Sequence, residues 1–248
     1  MPRISHDEAR RALRLSGVEA ATWATMVGLA ETYFIATAVH LGAGALGVGL
    51  AVALPLALGS SGPLLALALL SRLRGRRPFA VGAVFLQATT LLALAARLAA
   101  GQLTVVELIA GLCLYQITGQ AAGTAWSSWY GDLVPSETRG RWFSRRNRVV
   151  YLATCAGLVA GGMLLQWIEP EGVHGTRSQF GLALLIGLAA LARIGSGILL
   201  ALSPEPPFRG IPTGAHVARF SRTSSASSCC CCWRSRCAGA ARCSRPCS

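Results

Sequence analysis

The sequence predicts an all-α, polytopic membrane protein. Hydrophobic residues make up 53% of the 248 and charged residues only 13%, where soluble domains hold about a quarter charged. The apolar residues also fall in runs of roughly twenty, the length that crosses the hydrocarbon core of a bilayer. A net charge of +13 would suggest nucleic acid on a soluble face. Here the arginines sit between apolar runs, where positive charge marks cytoplasmic loops. The expected partner is therefore the lipid bilayer, and not nucleic acid.

The chain divides into a segment at 1–16, a helical bundle over 17–203 and a tail at 204–248. The first segment, "MPRISHDEARRALRL", is charged throughout and lacks the apolar stretch and cleavage site of a secretory signal. It reads as a short amphipathic helix, with Ser5 placed to cap it and Glu8 three residues on.

Six spans follow in order. The first is about Gly17–Leu41 and the second about Ala45–Leu70, the latter interrupted by Pro55 and by "GSSGP" at 59–63. Such breaks in lipid sit where neighbouring helices or water satisfy the freed backbone. They accompany either a cavity or a tolerated kink. The third span is about Phe79–Ala99 and the fourth about Leu103–Tyr130, ended by Pro135. The fifth is about Val149–Ile168, with Gly157, Gly161 and Gly162 spaced for close helix approach. The sixth is about Gln179–Leu202.

The connecting segments orient the spans. Four arginines lie before the first span, four between the second and third, and five between the fourth and fifth, against only Arg97 and Arg177 on the other side. That bias predicts both termini in the cytoplasm. Asp132 sits in the last turn of the fourth span, where the helix dipole disfavours a negative charge. It therefore needs an arginine partner, either Arg72 or Arg76 from the earlier loop or Arg139 or Arg141 from its own.

Charge inside a span is costly and marks function by default. Glu31, beside Tyr33 in the first span, is a substrate or proton site, or else a carboxyl hydrogen-bonded to a neighbouring helix. Tyr115, Gln116 and Gln120 in the fourth span either bind a solute or stitch helices together. Arg193 in the sixth pairs with a carboxylate or runs its stem to the cytoplasmic interface, the second fitting better. Glu19 is expected to be interfacial.

"LLSRLRGRRP" at 69–78 and "DLVPSETRGRWFSRRN" at 132–147 resemble two cytoplasmic loops of the major facilitator superfamily of transporters. In the first, Gly75, Arg76 and Arg77 match the second half of the family signature, while Arg72 and Ala68 stand where the family has aspartate and glycine. In the second, Asp132, Pro135, Arg139, Gly140, Arg141, Arg146 and Asn147 follow the pattern of a bacterial subset. The resemblance covers residues 1 to about 205. It implies six transmembrane helices built as two inverted three-helix repeats, one half of that transporter fold, in a bacterial inner membrane. It also implies transport of a small solute by alternating access, with Glu31 as the candidate for proton coupling. Beside the resemblance, pairing of Asp132 with an arginine reads as a cytoplasmic gate latch, the alternative being that these arginines only set topology and bind anionic headgroups. The second half would be a second copy or a missing C-terminal unit.

Two other readings compete. "GSSG" at 59–62 resembles the serine motif of intramembrane proteases, but the four histidines, His6, His40, His174 and His216, lie at span ends, in loops or in tails. A non-transporting six-span protein is the other. No cofactor and no metal are expected. Seven of the nine cysteines crowd into Cys229–Cys247. They read as a metal cluster, as lipidated cysteines or, fitting best, as leucine codons translated out of frame, which makes the chain a truncated product.

Overall fold

The computed structural model describes residues 6–70, 72, 75–168 and 176–205. The chain divides into Met1–Arg209 and Gly210–Ser248, and all described residues belong to the first unit. The cysteine-rich tail, Ser5, Arg74, His174 and His216 lie outside them.

The described residues form eight helices and no strand. These are α1 (His6–Ala30), α2 (Tyr33–His40), α3 (Ala45–Gly59), α4 (Gly62–Leu70), α5 (Arg76–Ala99), α6 (Val105–Leu133), α7 (Ser136–Ile168) and α8 (Thr176–Leu202). Five segments are long and apolar enough to cross a membrane: Ala45–Leu70, Arg76–Ala99, Val105–Leu133, Glu137–Ile168 and Arg177–Leu202. The protein is membrane-embedded.

The expected first span, Gly17–Leu41, is not one helix. It joins the N-terminal segment without interruption in α1 and then breaks at Glu31 and Thr32. Flanking residues consequently aim at opposite neighbours, Glu31 at α6 and Tyr33 at α7. The second span breaks at Ser60 and Ser61, inside the expected GSSGP stretch, while Pro55 is accommodated inside α3. The stretch expected as a loop between the fourth and fifth spans is mostly helix. After Val134 and Pro135, α7 starts at Ser136 and carries Arg139, Arg141, Arg145, Arg146 and Arg148. Charge ends the membrane-soluble part of a helix without ending the helix.

Helix ends follow local chemistry. Thr104 accepts a hydrogen bond from the Glu107 N–H while Glu107 accepts one from the Thr104 N–H, a capping box at the start of α6. Gly42 and Gly101 take positive φ, 78° and 69°, and the backbone bonds around them close α2 and α5 as Schellman turns.

Two clusters fill the interior. One holds Met26, Phe34, Leu91, Leu108, Tyr115 and Ile186. The other gathers Ala12, Leu70, Ala80, Trp129, Tyr130 and Leu200. The second cluster therefore brings to one end of the bundle the helix ends nearest the arginine-rich segments. The extensive pairings are α1 with α7 and α8, α5 with α6 and α8, and α6 with α3 and α4. At α1–α7 the backbones touch: a Cβ on Gly28 would fall 2.4 Å from the Thr154 carbonyl oxygen. At α4–α6 a Cβ on Gly62 would fall 2.6 Å from the Ile117 carbonyl oxygen.

Candidate functional site

One cavity, of about 220 Å³, opens beside the break in the first span and is lined by Glu31, Phe34, Pro55, Leu56, Tyr115 and Gln116 among others. Glu31 is half-buried there. The Tyr115 hydroxyl lies 2.8 Å from Glu31 Oε1 and 3.0 Å from Met26 Sδ. Phe34 meets the Tyr115 ring edge-on at 5.6 Å. A carboxyl, a phenol and an amide thus face one apolar chamber, a set able to hold a proton or a polar solute group.

Of the five residues expected at a solute site, three meet here. Tyr33 does not; its hydroxyl donates to the Leu158 carbonyl at 2.7 Å, and its ring lies against Gly161 and Gly162. Gln120 does not either: it is exposed, and its Cβ packs at Gly62. Both were proposed for being polar in an apolar run, and a helix face decides the matter.

At the arginine-rich end, Arg76 lies at the start of α5 after Gly75. Its Nη2 donates to Asp132 Oδ2 at 2.5 Å and its Nη1 to the Ser128 carbonyl at 2.6 Å. Its backbone N–H donates to Glu205 Oε1 at 2.6 Å. The Arg76 side chain is 6% exposed and that of Asp132 59%, so the pair closes from the protein side and opens to solvent on the other. Of the four arginines considered for Asp132, Arg76 is the one it contacts. Arg139 caps α6 instead, donating to the carbonyls of Gly131 and Val134. Arg72, Arg141 and Gly140 are exposed, and Arg77 donates to the Ala201 carbonyl. Pro135 follows the last residues of α6, as its missing N–H requires.

Arg146, grouped by sequence with the gate, belongs to a separate buried network. Its Nη2 donates to Glu19 Oε2 at 2.9 Å, with the two side chains 10% and 7% exposed. Glu19 Oε1 accepts from Ser196 at 3.1 Å, and Ser196 Oγ lies 3.2 Å from Arg193 Nη1. Arg193 Nε donates to Gln87 Oε1 at 2.6 Å, and Gln87 Nε2 donates to the Tyr115 carbonyl at 3.1 Å. Glu19 is thus buried, not interfacial. Arg193 does not reach for the interface; it is 4% exposed because Gln87 and Ser196 satisfy it inside the bundle. Neither position was legible as a network, since the partners come from α1, α5, α7 and α8. Lone charges of opposite sign within or at the ends of apolar spans were the available signal.

This network borders a second cavity, of about 240 Å³. Its α6 wall is Gly119, Ala122, Gly123, Trp126 and Ser127, the spacing of a single helix face. The small residues hollow that face, and Gly119 admits Gln87, whose Nε2 would lie 2.6 Å from a Cβ placed there. Arg146 lies over the Trp126 ring at 4.0 Å, and Trp126, Tyr130 and Trp142 stack behind it.

The Ser60 and Ser61 hydroxyls, which carried the protease reading, donate to the carbonyls of Ala57 and Leu58 in the break between α3 and α4. Among the described residues no cluster of His, Cys, Asp and Glu could hold a metal. The sequence matches no protein-family model and no curated protein.

Proposed function

We propose that this chain is one six-span half of an alternating-access transporter of the major facilitator type. It moves a small solute across a bacterial inner membrane with both termini in the cytoplasm, and it works with a second six-span unit. Spans one to six are α1–α2, α3–α4, α5, α6, α7 and α8.

The observation that carries this reading is the pairing of the helices. Exchanging spans one, two and three for four, five and six turns α1–α7 into α6 with α3–α4, and α1–α8 into α6–α5. It leaves α5–α8 unchanged. Every extensive contact maps onto another, as expected of two inverted three-helix repeats. The backbone approaches at Gly28 and Gly62 exchange as well. The lesser contacts, α2 with α3 and α7 with α8, have no counterpart of like extent among the described residues.

Two further features support the mechanism. Glu31 and Tyr115 come from spans one and four, which exchange with each other, and they face a common chamber. A solute or proton held there is released when that pair separates. Arg76 and Asp132 join the start of α5 to the end of α6. Such a half-exposed pair, worth about 1 kcal/mol or less, latches one end without locking it.

Proteoliposomes containing the full chain and an entrapped pH dye provide the test. Across a panel of organic acids, amino acids and organic cations, at least one solute should drive a proton flux, and Glu31→Gln should abolish it. Asp132→Asn should leave binding intact and change the rate. A folded chain that forms dimers yet gives no flux with any solute, or an E31Q chain with unchanged flux, would refute the reading.

A further inference from the structure

The cavity beside Arg146 and Arg193 has no role in that scheme, and its chemistry is more specific than that of the chamber at Glu31. Arg146, Arg193 and Glu19 line it, leaving one positive charge in excess. The single carboxylate is engaged at both oxygens, by Arg146 and by Ser196. The unused hydrogen-bonding capacity lies almost wholly with donors. Arg146 Nε and Trp126 Nε1 are buried with no hydrogen-bond partner among the described residues. Arg193 spends Nε on Gln87 and Nη1 on Ser196. Ser127 donates to the Thr124 carbonyl.

The excess positive charge of the lining calls for an anion, and a guanidinium fork suits a planar carboxylate. The rest of the lining is Trp23, Trp126, Val84, Leu200 and the small face of α6, which suits an apolar and flat body. We propose that this cavity binds a small organic monoanion, a carboxylate on an aromatic or compact apolar group. Arg193 and Arg146 receive its charge, and Trp23, Val84, Leu200 and the small face of α6 receive its body. A cationic or zwitterionic ligand would need a free acceptor of matching charge, and Glu19 is already occupied.

Binding to the purified full chain in detergent tests this without calling on transport, so failure here would leave the alternating-access reading standing. Benzoate is the probe, with benzamide and benzylammonium as its neutral and cationic counterparts. It is followed by tryptophan fluorescence and by calorimetry. Benzoate should bind at least about tenfold more tightly than either counterpart, the difference a hydrogen-bonded charge makes. Arg193→Gln should weaken benzoate by about tenfold or more while leaving benzamide unchanged. Trp126→Phe shortens the apolar wall and should weaken benzoate and benzamide alike. Benzamide or benzylammonium binding as well as benzoate, or no benzoate binding to the folded wild-type chain, would overturn the proposal. So would R193Q at wild-type affinity.

Discussion

Gly28 is the point at which the α1–α7 interface is most sensitive to a single atom. A Cβ there would lie 2.4 Å from the Thr154 carbonyl oxygen, 2.9 Å from the Leu158 nitrogen and 3.0 Å from the Gly157 Cα. All three are backbone atoms, so no side chain can rotate out of the way. Ordinary contact needs about 3.5 Å, and Gly28→Ala must therefore part the helices by roughly 1 Å. Overpacking of this kind costs about 1–3 kcal/mol, here toward the upper end because backbone cannot yield. Replacing glycine within a helix returns roughly 0.5–1 kcal/mol. The net expectation is a loss of about 2 kcal/mol, some thirtyfold in the unfolding equilibrium. Gly49 is the control: it lies on an exposed face of α3 with nothing within 4 Å of a Cβ, so Gly49→Ala should be neutral or slightly stabilising. Unfolding of both variants in mixed micelles with increasing SDS reads the difference. G28A unfolding at the same SDS fraction as G49A would refute the reasoning.

Two further outcomes follow from the buried polar groups. Arg146→Gln strands Glu19 with Ser196 alone and should destabilise by about 3–5 kcal/mol, the usual result of halving a buried ion pair. The double variant E19Q/R146Q should recover much of that loss in the same unfolding assay, and simple additivity would contradict the pairing. Tyr115→Phe frees the Glu31 carboxyl from its phenol and should speed labelling by dicyclohexylcarbodiimide. Labelling should vanish in E31Q, and an unchanged rate in Y115F would mean that the phenol does not shield Glu31.

The sequence makes legible what depends on composition and one-dimensional order. Apolar run length located five of the spans because a bilayer sets that length directly. Proline marked the end of α6, and arginine counts sorted helix ends that do meet in one cluster. Reading charge as loop failed at residues 139–148, because a helix leaving the membrane keeps its backbone bonds and changes only its side chains. Pro55 misled for a related reason, since α3 absorbs it, whereas GSSGP did mark the break, which falls at Ser60 and Ser61, where the hydroxyls take up backbone carbonyls. The chamber at Glu31 was partly legible, since Glu31, Tyr115 and Gln116 were each unusual in their runs. The second cavity was not, because its walls come from five helices and its charges are explained only by one another.

The Glu19–Arg146 pair joins residues 127 apart in the chain, and that separation has a consequence for biosynthesis. At about 5–20 residues per second, Arg146 leaves the ribosome roughly 6–25 s after Glu19. Ser196, which holds the other carboxylate oxygen, comes later still. Throughout that interval the Glu19 carboxylate lacks the arginine that pairs with it in the finished bundle. α1 therefore completes its contacts only once α7 and α8 have been made. α7, meeting α1 along its length, supplies both the surface and the charge that complete the assembly.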